Sequence, residues 1–414
     1  MKSRWPLAFL ALGFALLGSA CAHRIGPELA PGYGGQAFDF SAPPCSPSPR
    51  CSSSPEPEPP ECSGGASRRA GVPVDLQVDL QYLGTAGLYL EWQGHGVLFG
   101  PFFSRPSPLR VALGKMRPDP GAVKRGLAEV PMEKVGAILV GHAHYDHLLD
   151  IPLVAEEHAP GAQIYASGTA RKLLFPYSTV YRRTVALDRR LGTWVRLRDA
   201  KGRALPVRVM PLATTHAPQS RFFRWAEGEA RAPLHRPWEE LRHWKLRQGQ
   251  PLAFLVELLE GESEEVRFRL YYQDSASHQG TGLPPKVPGV GGVDLAVLCI
   301  ASHHLARGFP EYLLEELEPR HVLVAHQEDF SRSAAKPTRF VPLLTRRRAE
   351  SFLRQVSEAE PPAAGWQGPE GSVCGPSNET YSMALPGGWL RFRGHGAEVA
   401  EGPAGRDQTG EEEP

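Results

Sequence analysis

The chain has 414 residues, and its 46 basic side chains nearly balance its 45 acidic ones, giving a formal net charge of +1. This balance leaves no overall positive field for attracting a polyanion, which excludes nucleic-acid binding as the main function. The 43 Gly and 41 Pro indicate many loops and exclude a largely coiled-coil or helix-bundle protein, while the 41% of apolar residues are enough for a core.

Residues 1–21 have the pattern of a secretory signal peptide. Basic residues precede an apolar run over 5–17, which is shorter than the ~20 residues that a membrane-spanning helix needs. The small residues before Cys21 resemble the lipobox of bacterial lipoproteins, although Gly18 stands where the lipobox usually has Leu. The resemblance implies cleavage before Cys21 and a lipid anchor on its thiol. Ordinary cleavage and secretion is the alternative interpretation.

Ala22, the residue after the expected lipidation site, bears on the destination of the protein. An Asp at this position retains many bacterial lipoproteins at the inner membrane. Its absence favours sorting to the outer membrane, so we expect a lipid-anchored protein of the bacterial cell envelope that faces the periplasm.

Residues 22–72 are predicted to form a disordered tether between the anchor and the folded body. Eight Pro and seven Ser lie within 41–63, and such a composition buries too little apolar surface to offset the entropy of ordering. The acidic segment 396–414 is predicted to be disordered for the same reason. In an oxidising compartment, one local disulfide with a leftover thiol is an open alternative for the cysteines of the tether, Cys45, Cys51 and Cys62.

The folded body, predicted over 73–395, opens with β-strands. Apolar and polar residues alternate over 74–82, which is the period of a half-buried strand, and a turn follows over 84–87. Residues 88–92 and 97–99 continue as a hairpin. The first part of the body is therefore predicted to be a meander of short strands.

The rest of the body alternates strands with helices. Residues 137–140 form a short apolar strand, and a helix is predicted from Asp150 to about Glu157. Further strands are predicted over 163–165, 207–210, 252–258, 268–272, 295–300 and 322–325, and further helices over 311–317 and 346–356. Cys299, in an apolar run, is predicted to be a buried small hydrophobe. This order of elements is typical of an α/β sandwich, with sheets inside and helices outside.

A dense group of ionisable side chains follows the apolar strand directly, in the sequence Gly-His-Ala-His-Tyr-Asp-His. A loop leaving a strand end can turn His142 and His144 toward one point while Asp146 and His147 face a second, as two adjacent metal ions require. Three imidazoles and a carboxylate at this spacing are unexpected by chance in a chain with 15 His. A surface loop that is rich in His by coincidence is the alternative.

This His-x-His-x-Asp-His pattern resembles the metallo-β-lactamase superfamily, in which three further ligands come from strand ends. His216, Asp274 and His326 each follow a predicted strand here, in the expected order, and the resemblance extends over about 76–330. It implies an αββα sandwich of two packed mixed β-sheets flanked by helices. It also implies one metal ion held by His142, His144 and His216, a second held by Asp146, His147 and His326, and Asp274 bridging both.

The segment 82–87 indicates a particular branch of this superfamily, although the residue before Pro101 differs from that branch. Tyr-Leu-Gly-Thr-Ala-Gly resembles the opening hairpin of the branch that includes N-acylphosphatidylethanolamine phospholipase D-like and ascorbate-lactonase-like hydrolases. That branch commonly ends its third strand in Asp-Pro, where this chain has Gly100 and Pro101, so a carboxylate that would orient a ligating imidazole is missing. Asp150 is expected either to replace it or to cap the following helix.

The expected ligand set indicates the metal and its chemistry. Five imidazoles and two carboxylates without thiolate suit two Zn²⁺ ions, and Mn²⁺ or Fe²⁺ are compatible with the same side chains. By the resemblance, the ions share a hydroxide nucleophile, since coordination lowers the pKa of the bound water to about 7. Asp146 and Asp274 are thereby predicted to be catalytic. His303 and His304 follow the strand at 295–300, and either is predicted to bind substrate or to deliver a proton; the alternative is that they are solvated loop residues.

An insertion over 217–250 separates His216 from the next strand. It carries seven Arg and Lys against four Glu, together with five large aromatic residues: Phe222, Phe223, Trp225, Trp238 and Trp244. Aromatic and cationic side chains above a hydrolytic site would suit an amphiphilic or anionic substrate such as a phospholipid. The alternative is a packed cover whose Trp residues belong to the core and whose Arg residues are solvated.

Taken together, these features predict an envelope-anchored binuclear metal-dependent hydrolase that cleaves an ester, lactone or phosphodiester bond. A phospholipid-like substrate reached from the membrane is the sharper expectation, on the resemblance and the insertion. The partners predicted are a small-molecule or lipid substrate and a membrane, with no nucleic acid. The alternative function is that of a non-catalytic metal-binding envelope lipoprotein.

Overall fold

The computed structural model describes residues 77–113, 116–218, 226–238, 247–285, 292–334, 336–359, 381–393 and 396–398. The predicted signal peptide, its Cys21, the tether and all of the acidic tail beyond residue 398 lie outside these ranges. Within them, no helix combines the length and the apolar character needed to cross a bilayer.

In the described part of the chain, the first sheet has eight strands. They are β1 Gln77–Gly84, β2 Gly87–Trp92, β3 His95–Phe99, β4 Val135–Leu139, β5 Gln163–Ala166, β6 Thr184–Ala186, β14 Trp389–Arg393 and β15 Gly396–Glu398. Their order is β15-β14-β1-β2-β3-β4-β5-β6. The half from β15 to β3 is antiparallel and the half from β3 to β6 is parallel, so the sheet is mixed.

The second sheet has seven strands among the described residues. They are β7 Val195–Arg198, β8 Ala204–Ala213, β9 Leu252–Leu259, β10 Val266–Gln273, β11 Leu295–Cys299, β12 His321–Ala325 and β13 Tyr381–Ser382. Their order is β13-β12-β11-β10-β9-β8-β7. Because β9 is antiparallel to both β8 and β10, and β10 to β12 are parallel, β8, β10 and β12 run in the same direction. Their carboxyl ends therefore share one edge of this sheet.

Helices cover the outer faces of both sheets. They are α1 Pro108–Leu113, α2 Pro120–Gly126, α3 Tyr145–Leu148, α4 Ile151–Leu153, α5 Gly168–Leu173, α6 Ser178–Arg182, α7 Glu311–Leu317 and α8 Arg346–Glu358. The longest of these, α8, has Thr345 as its N-cap, and the Thr345 side chain accepts a hydrogen bond from the backbone N–H of Arg348. It buries Ala349, Phe352 and Val356, which lie on one helical face and pack against the second sheet.

Three apolar clusters hold these layers together. The inner cluster joins the facing sides of the two sheets, with Leu80 and Phe99 on one side and Phe254 and Leu270 on the other. A second cluster lies between the second sheet and α7 and α8, and a third lies between the first sheet and the helices that follow β3, β4 and β5. Because side chains alternate along each strand, each sheet has apolar side chains on both of its faces. The predicted αββα sandwich of two mixed sheets is confirmed.

The main differences from the sequence-based prediction lie in short elements. The helix predicted from Asp150 consists of α4 followed by a π-helical turn over Val154–His158. Strands β6, β7 and β13 to β15 were not predicted, and β15 lies beyond the boundary expected at residue 395. Cys299 is 2% exposed, as expected of a small buried hydrophobe.

Candidate metal centre

The loop that leaves β4 brings four ionisable side chains to the edge of the sandwich. Gly141 precedes His142, and a Cβ atom on Gly141 would overlap the carboxylate of Asp274. The absence of a side chain there lets the ends of two strands from different sheets approach each other. Helix α3 then begins at Tyr145 and carries Asp146 and His147, both buried.

The first group of converging ligand atoms comes from His142, His144 and His216, all within 4.8 Å of one another. Nε2 of His142 lies 2.9 Å from Nδ1 of His144, and the rings of His144 and His216 are 4.8 Å apart between centroids. His216 donates from Nδ1 to the carbonyl oxygen of Ala217 at 2.8 Å. That hydrogen bond fixes the tautomer and leaves the Nε2 lone pair of His216 for a metal ion.

The second group comes from Asp146, His147 and His326, whose ligand atoms also lie within 4.8 Å of one another. Oδ2 of Asp146 is 3.5 Å from Nε2 of His147 and 3.4 Å from Nε2 of His326. The side chains of all three residues are almost completely buried. A carboxylate and two imidazoles in this arrangement are a second set of donors able to hold a cation, next to the first set.

Asp274 lies between the two groups. Its Oδ1 accepts from Nδ1 of His142 at 3.0 Å, and its Oδ2 lies 3.5 Å from Nδ1 of His147. Oδ2 of Asp274 and the Nδ1 atoms of His147 and His326 are buried without any hydrogen-bond partner. Buried polar atoms without partners are costly, and bound cations would satisfy those that face the two groups. The seven predicted ligands thus come together, and the donor set fits two metal ions.

Burial and mutual charge set the protonation of this cluster. Burial lowers the pKa of His144 well below its usual range, that of His147 to about 3 and that of His216 to about 4. Burial acts on His142 in the same direction, but the Asp274 carboxylate outweighs it and raises the pKa of His142. Three imidazoles are therefore neutral at neutral pH, which is the form that binds metal.

The two carboxylates of the cluster are held in their ionised form. Burial opposes ionisation of Asp146, yet the imidazoles of His147 and His326 lower its pKa below the usual range. Burial likewise opposes ionisation of Asp274, and His142 and His147 reverse it, so that the pKa of Asp274 is also lowered. Both side chains are thus ready to coordinate a cation without first losing a proton.

A buried network behind the second group was not predicted from the sequence. The Tyr82 hydroxyl accepts from the backbone N–H of His326 at 3.0 Å and donates to Oε2 of Glu328 at 2.8 Å. Glu328 also accepts from the N–H of Thr85 at 2.5 Å and pairs with Arg105 at 3.2 Å. His326 has a φ of +64°, which non-glycine residues rarely adopt, so the network holds a strained ligand in place.

Asp150 plays neither of the roles expected for it. Its carboxylate accepts from the backbone N–H groups of Phe103 at 2.6 Å and Ser104 at 2.8 Å, and from the Ser104 hydroxyl. It makes no side-chain capping bond to α4, although it precedes that helix. Burial raises its pKa to about 6. Asp150 therefore fastens the loop after β3 instead of orienting an imidazole of the cluster.

The structure does not bring His303 or His304 into the cluster. His303 is buried, donates from Nδ1 to the carbonyl oxygen of Ile300, and packs its ring 5.1 Å from that of Phe352 in α8. His304 is exposed. Sequence position placed both after a strand, but the left-handed conformation of Ser302 begins a turn that directs His303 to the outer apolar layer.

The part of the insertion over 226–238 packs against the helices of the first sheet. Trp238 is 1% exposed, donates from its indole N–H to the carbonyl oxygen of Leu173, and packs against the Tyr177 ring at 5.2 Å. Arg231 and Arg236 are exposed. These residues match the packed-cover alternative, while Phe222, Phe223, Trp225 and Trp244 lie outside the described residues.

No family model matches the chain, and no curated protein matches it. Solved structures that resemble it include a novel metallo hydrolase from the hyperthermophilic archaeon Ignicoccus hospitalis. That protein is 14% identical, the match covers 77% of this chain and 99% of the other, and the TM-score is 0.41.

Two further solved structures show a similar degree of likeness. A metallo-beta-lactamase fold protein from Bacillus subtilis is 12% identical over 76% of this chain and 100% of its own, with a TM-score of 0.41. A diiron beta-hydroxylase from Streptomyces venezuelae is 14% identical over 77% of this chain and 54% of its own, also with a TM-score of 0.41.

Proposed function

We propose that the chain is a binuclear metal-dependent hydrolase, with the metal pair held by the seven side chains of the cluster. The observation that carries this proposal is the position of Asp274 between two groups of three ligands, with buried atoms that no protein group satisfies. A single structural metal ion would need only one of these groups. The paired arrangement is instead the one that clamps both oxygens of a displacement reaction.

The chain's own residues would bind the metals and keep the centre ready. His142, His144 and His216 offer neutral or readily deprotonated imidazoles to one ion, and Asp146 offers an ionised carboxylate to the other. When bound, two divalent cations supply a water-derived nucleophile near neutral pH and polarise the oxygen of the scissile group. Nitrogen and oxygen donors without thiolate favour zinc, and manganese or iron are compatible with the same set.

The substrate class in this proposal is an ester, lactone or phosphodiester, with a phospholipid-like molecule as the sharper candidate. The support is the motif resemblance together with the cationic and aromatic composition of segments 219–225 and 239–246 of the insertion, which the packed cover around Trp238 does not include. We propose in addition that Cys21 carries a lipid anchor that holds the enzyme at the bacterial envelope. An anchored enzyme would meet a lipid substrate at the membrane surface.

Metal analysis combined with activity tests this proposal. We expect about two metal equivalents in the wild-type protein and turnover of an ester, lactone or phosphodiester reporter. Asp274→Ala should lose both, because it removes the carboxylate between the groups. Asp199→Ala is a matched control, since Asp199 is also buried but lies in the turn between β7 and β8, at the opposite end of β8 from His216.

The outcomes separate the hydrolase from the non-catalytic alternative. Two bound metals with no turnover of any of the three reporter classes would favour a metal-binding envelope protein. One equivalent or none in the wild type would overturn the binuclear proposal. Turnover of the lactone alone would move the substrate assignment away from phospholipids.

A further inference from the structure

A cavity of about 150 Å³ lies beside the metal centre, between the loop that follows β12 and the loops at 105 and 385–386. Liquid water occupies about 30 Å³ per molecule, so the cavity has room for a small tetrahedral anion. It is close to the cluster, because Glu328 in its wall is two residues after His326 and is joined to the backbone N–H of His326 through the Tyr82 hydroxyl. Half of the residues in its wall are charged.

The two carboxylates in the wall are already neutralised. Glu328 pairs with Arg105, whose side chain is only 8% exposed, at 3.2 Å. Asp329 pairs with Arg339 at 2.8 Å and also accepts from the N–H and the hydroxyl of Ser331. Neither carboxylate is therefore free to bind a further cation, and neither repels an anion with its full charge.

Two other cations in the wall have no such partner. Among the described residues, Arg332 and Lys336 form no ion pair, and Nε of Arg332 is buried without a hydrogen bond. A guanidinium with a buried, unsatisfied N–H is costly to the fold unless an acceptor reaches it. The planar fork of Arg suits two oxygens of a phosphate, and a Lys adds a point charge beside it.

We propose that this cavity is a binding site for a phosphate-type anion, held by Arg332 and Lys336. The assignment of that anion to the substrate rests on the proposed function, in which it would be an anionic group next to the scissile bond. The binding itself does not depend on hydrolysis. Two sources share the chemistry: free phosphate, and the phosphodiester of a lipid head group.

Calorimetric titration of the metal-loaded, full-length protein tests the site with two probes. Inorganic phosphate represents the free anion, and dimethyl phosphate carries the charge of a lipid diester. Arg332→Gln/Lys336→Gln should weaken binding of the preferred probe about tenfold or more, since it removes both positive charges that face the anion. Both side chains lack ion pairs in the described structure, so the double variant should keep its fold, which circular dichroism checks.

Two comparison proteins make the result specific. Arg189→Gln/Arg190→Gln changes the net charge equally at exposed positions elsewhere and should bind both probes as the wild type does. Asp274→Ala weakens the metal pair and should keep binding at the cavity. Loss of binding in Asp274→Ala with no change in Arg332→Gln/Lys336→Gln would place the anion on the metals and overturn the proposal.

The remaining outcomes are equally decisive. If the wild type binds neither inorganic phosphate nor dimethyl phosphate, the proposed anion site is wrong. Tight binding of inorganic phosphate alone would identify a free anion, and tight binding of dimethyl phosphate would identify a lipid head group. A failed hydrolase proposal would appear separately, as missing turnover in the reporter assays with phosphate binding intact.

Discussion

Gly141 is a position at which the metal centre leaves no room for a side chain. A Cβ atom there would overlap the carboxylate of Asp274, so Gly141→Ala should push that carboxylate out of its place between the two groups. We expect bound metal to fall from about two equivalents to about one or fewer, measured by elemental analysis after dialysis.

The matched control for that change is Gly161→Ala. Gly161 has no atoms within 4 Å of an added Cβ and no positive φ, so the substitution should leave the metal content unchanged. Full metal content in Gly141→Ala would mean that Asp274 does not lie as close to the β4 loop as the structure shows.

Tyr82 is a positioning residue for His326. Tyr82→Phe removes the acceptor of the His326 N–H and the donor to Glu328, leaving both partners buried. We expect a loss of about 1–3 kcal/mol in the free energy of unfolding. We also expect weaker binding of one of the two metal ions, because the positive φ of His326 loses its support.

Zinc titration against a competing chelator measures that selective effect. Tyr165→Phe is the control, since Tyr165 is similarly buried and its hydroxyl bonds the backbone of Arg198, away from the cluster. It should cost similar stability and leave both zinc affinities unchanged. Equal weakening of both sites in Tyr82→Phe would argue against a role specific to His326.

At the scale of elements, the attachment of the loop after β3 through Asp150 has a pH dependence. The folded-state pKa of about 6 exceeds the usual value of about 3.9, so the fold favours the protonated carboxyl. The contribution of Asp150 to the free energy of unfolding is therefore fully present below about pH 4. It falls by roughly 3 kcal/mol as the pH rises through 6. Asp150→Asn, which cannot ionise, should lack this change.

Urea unfolding of the wild type and Asp150→Asn between pH 4 and 7 measures this difference. Contributions from all other groups are shared and cancel in the comparison at each pH. Asn keeps one acceptor oxygen for the N–H groups of Phe103 and Ser104, so the variant should gain stability relative to the wild type as the pH rises. A constant difference across the range would contradict the raised pKa.

The elements also explain which parts of the site could be predicted from the sequence. The motif at 142–147 is local, and His216, Asp274 and His326 each follow a strand, so their meeting at one edge follows from the direction of β8, β10 and β12. The bond between Tyr82 and Glu328 joins residues 246 positions apart. Nothing local marks either residue as the partner of the other, so this network could not be predicted.

The direction in which some side chains point also could not be predicted from the sequence. His303 follows β11 as expected, but one left-handed residue before it decides that its ring joins the outer apolar layer. Similarly, Asp150 has the sequence position of a helix cap, while the competing N–H groups of Phe103 and Ser104 come from a loop 46 or 47 positions away. Contacts of this kind depend on tertiary packing that a sequence pattern does not contain.

At the scale of the whole molecule, the sandwich is closed by joining the two ends of the described body. Strand β14 pairs with β1, so that Leu390 lies opposite Leu80, and both side chains enter the inner cluster between the sheets. The first sheet is therefore completed only when the last part of the body has been made. We infer that the sandwich, including the edge that carries the metal ligands, unfolds as one cooperative unit.

Leu390→Ala tests this closure. Leu390 is 2% exposed, so removing its side chain should lower the free energy of unfolding by about 2–5 kcal/mol in denaturant titrations. The control Leu305→Ala removes the same atoms from a residue that is 43% exposed and should change stability by about 0.5 kcal/mol or less. A cooperative unit further requires that tryptophan fluorescence and zinc release report the same shifted midpoint. A small effect of Leu390→Ala, or two separate midpoints, would mean that β14 is an appendage and that the metal centre folds without it.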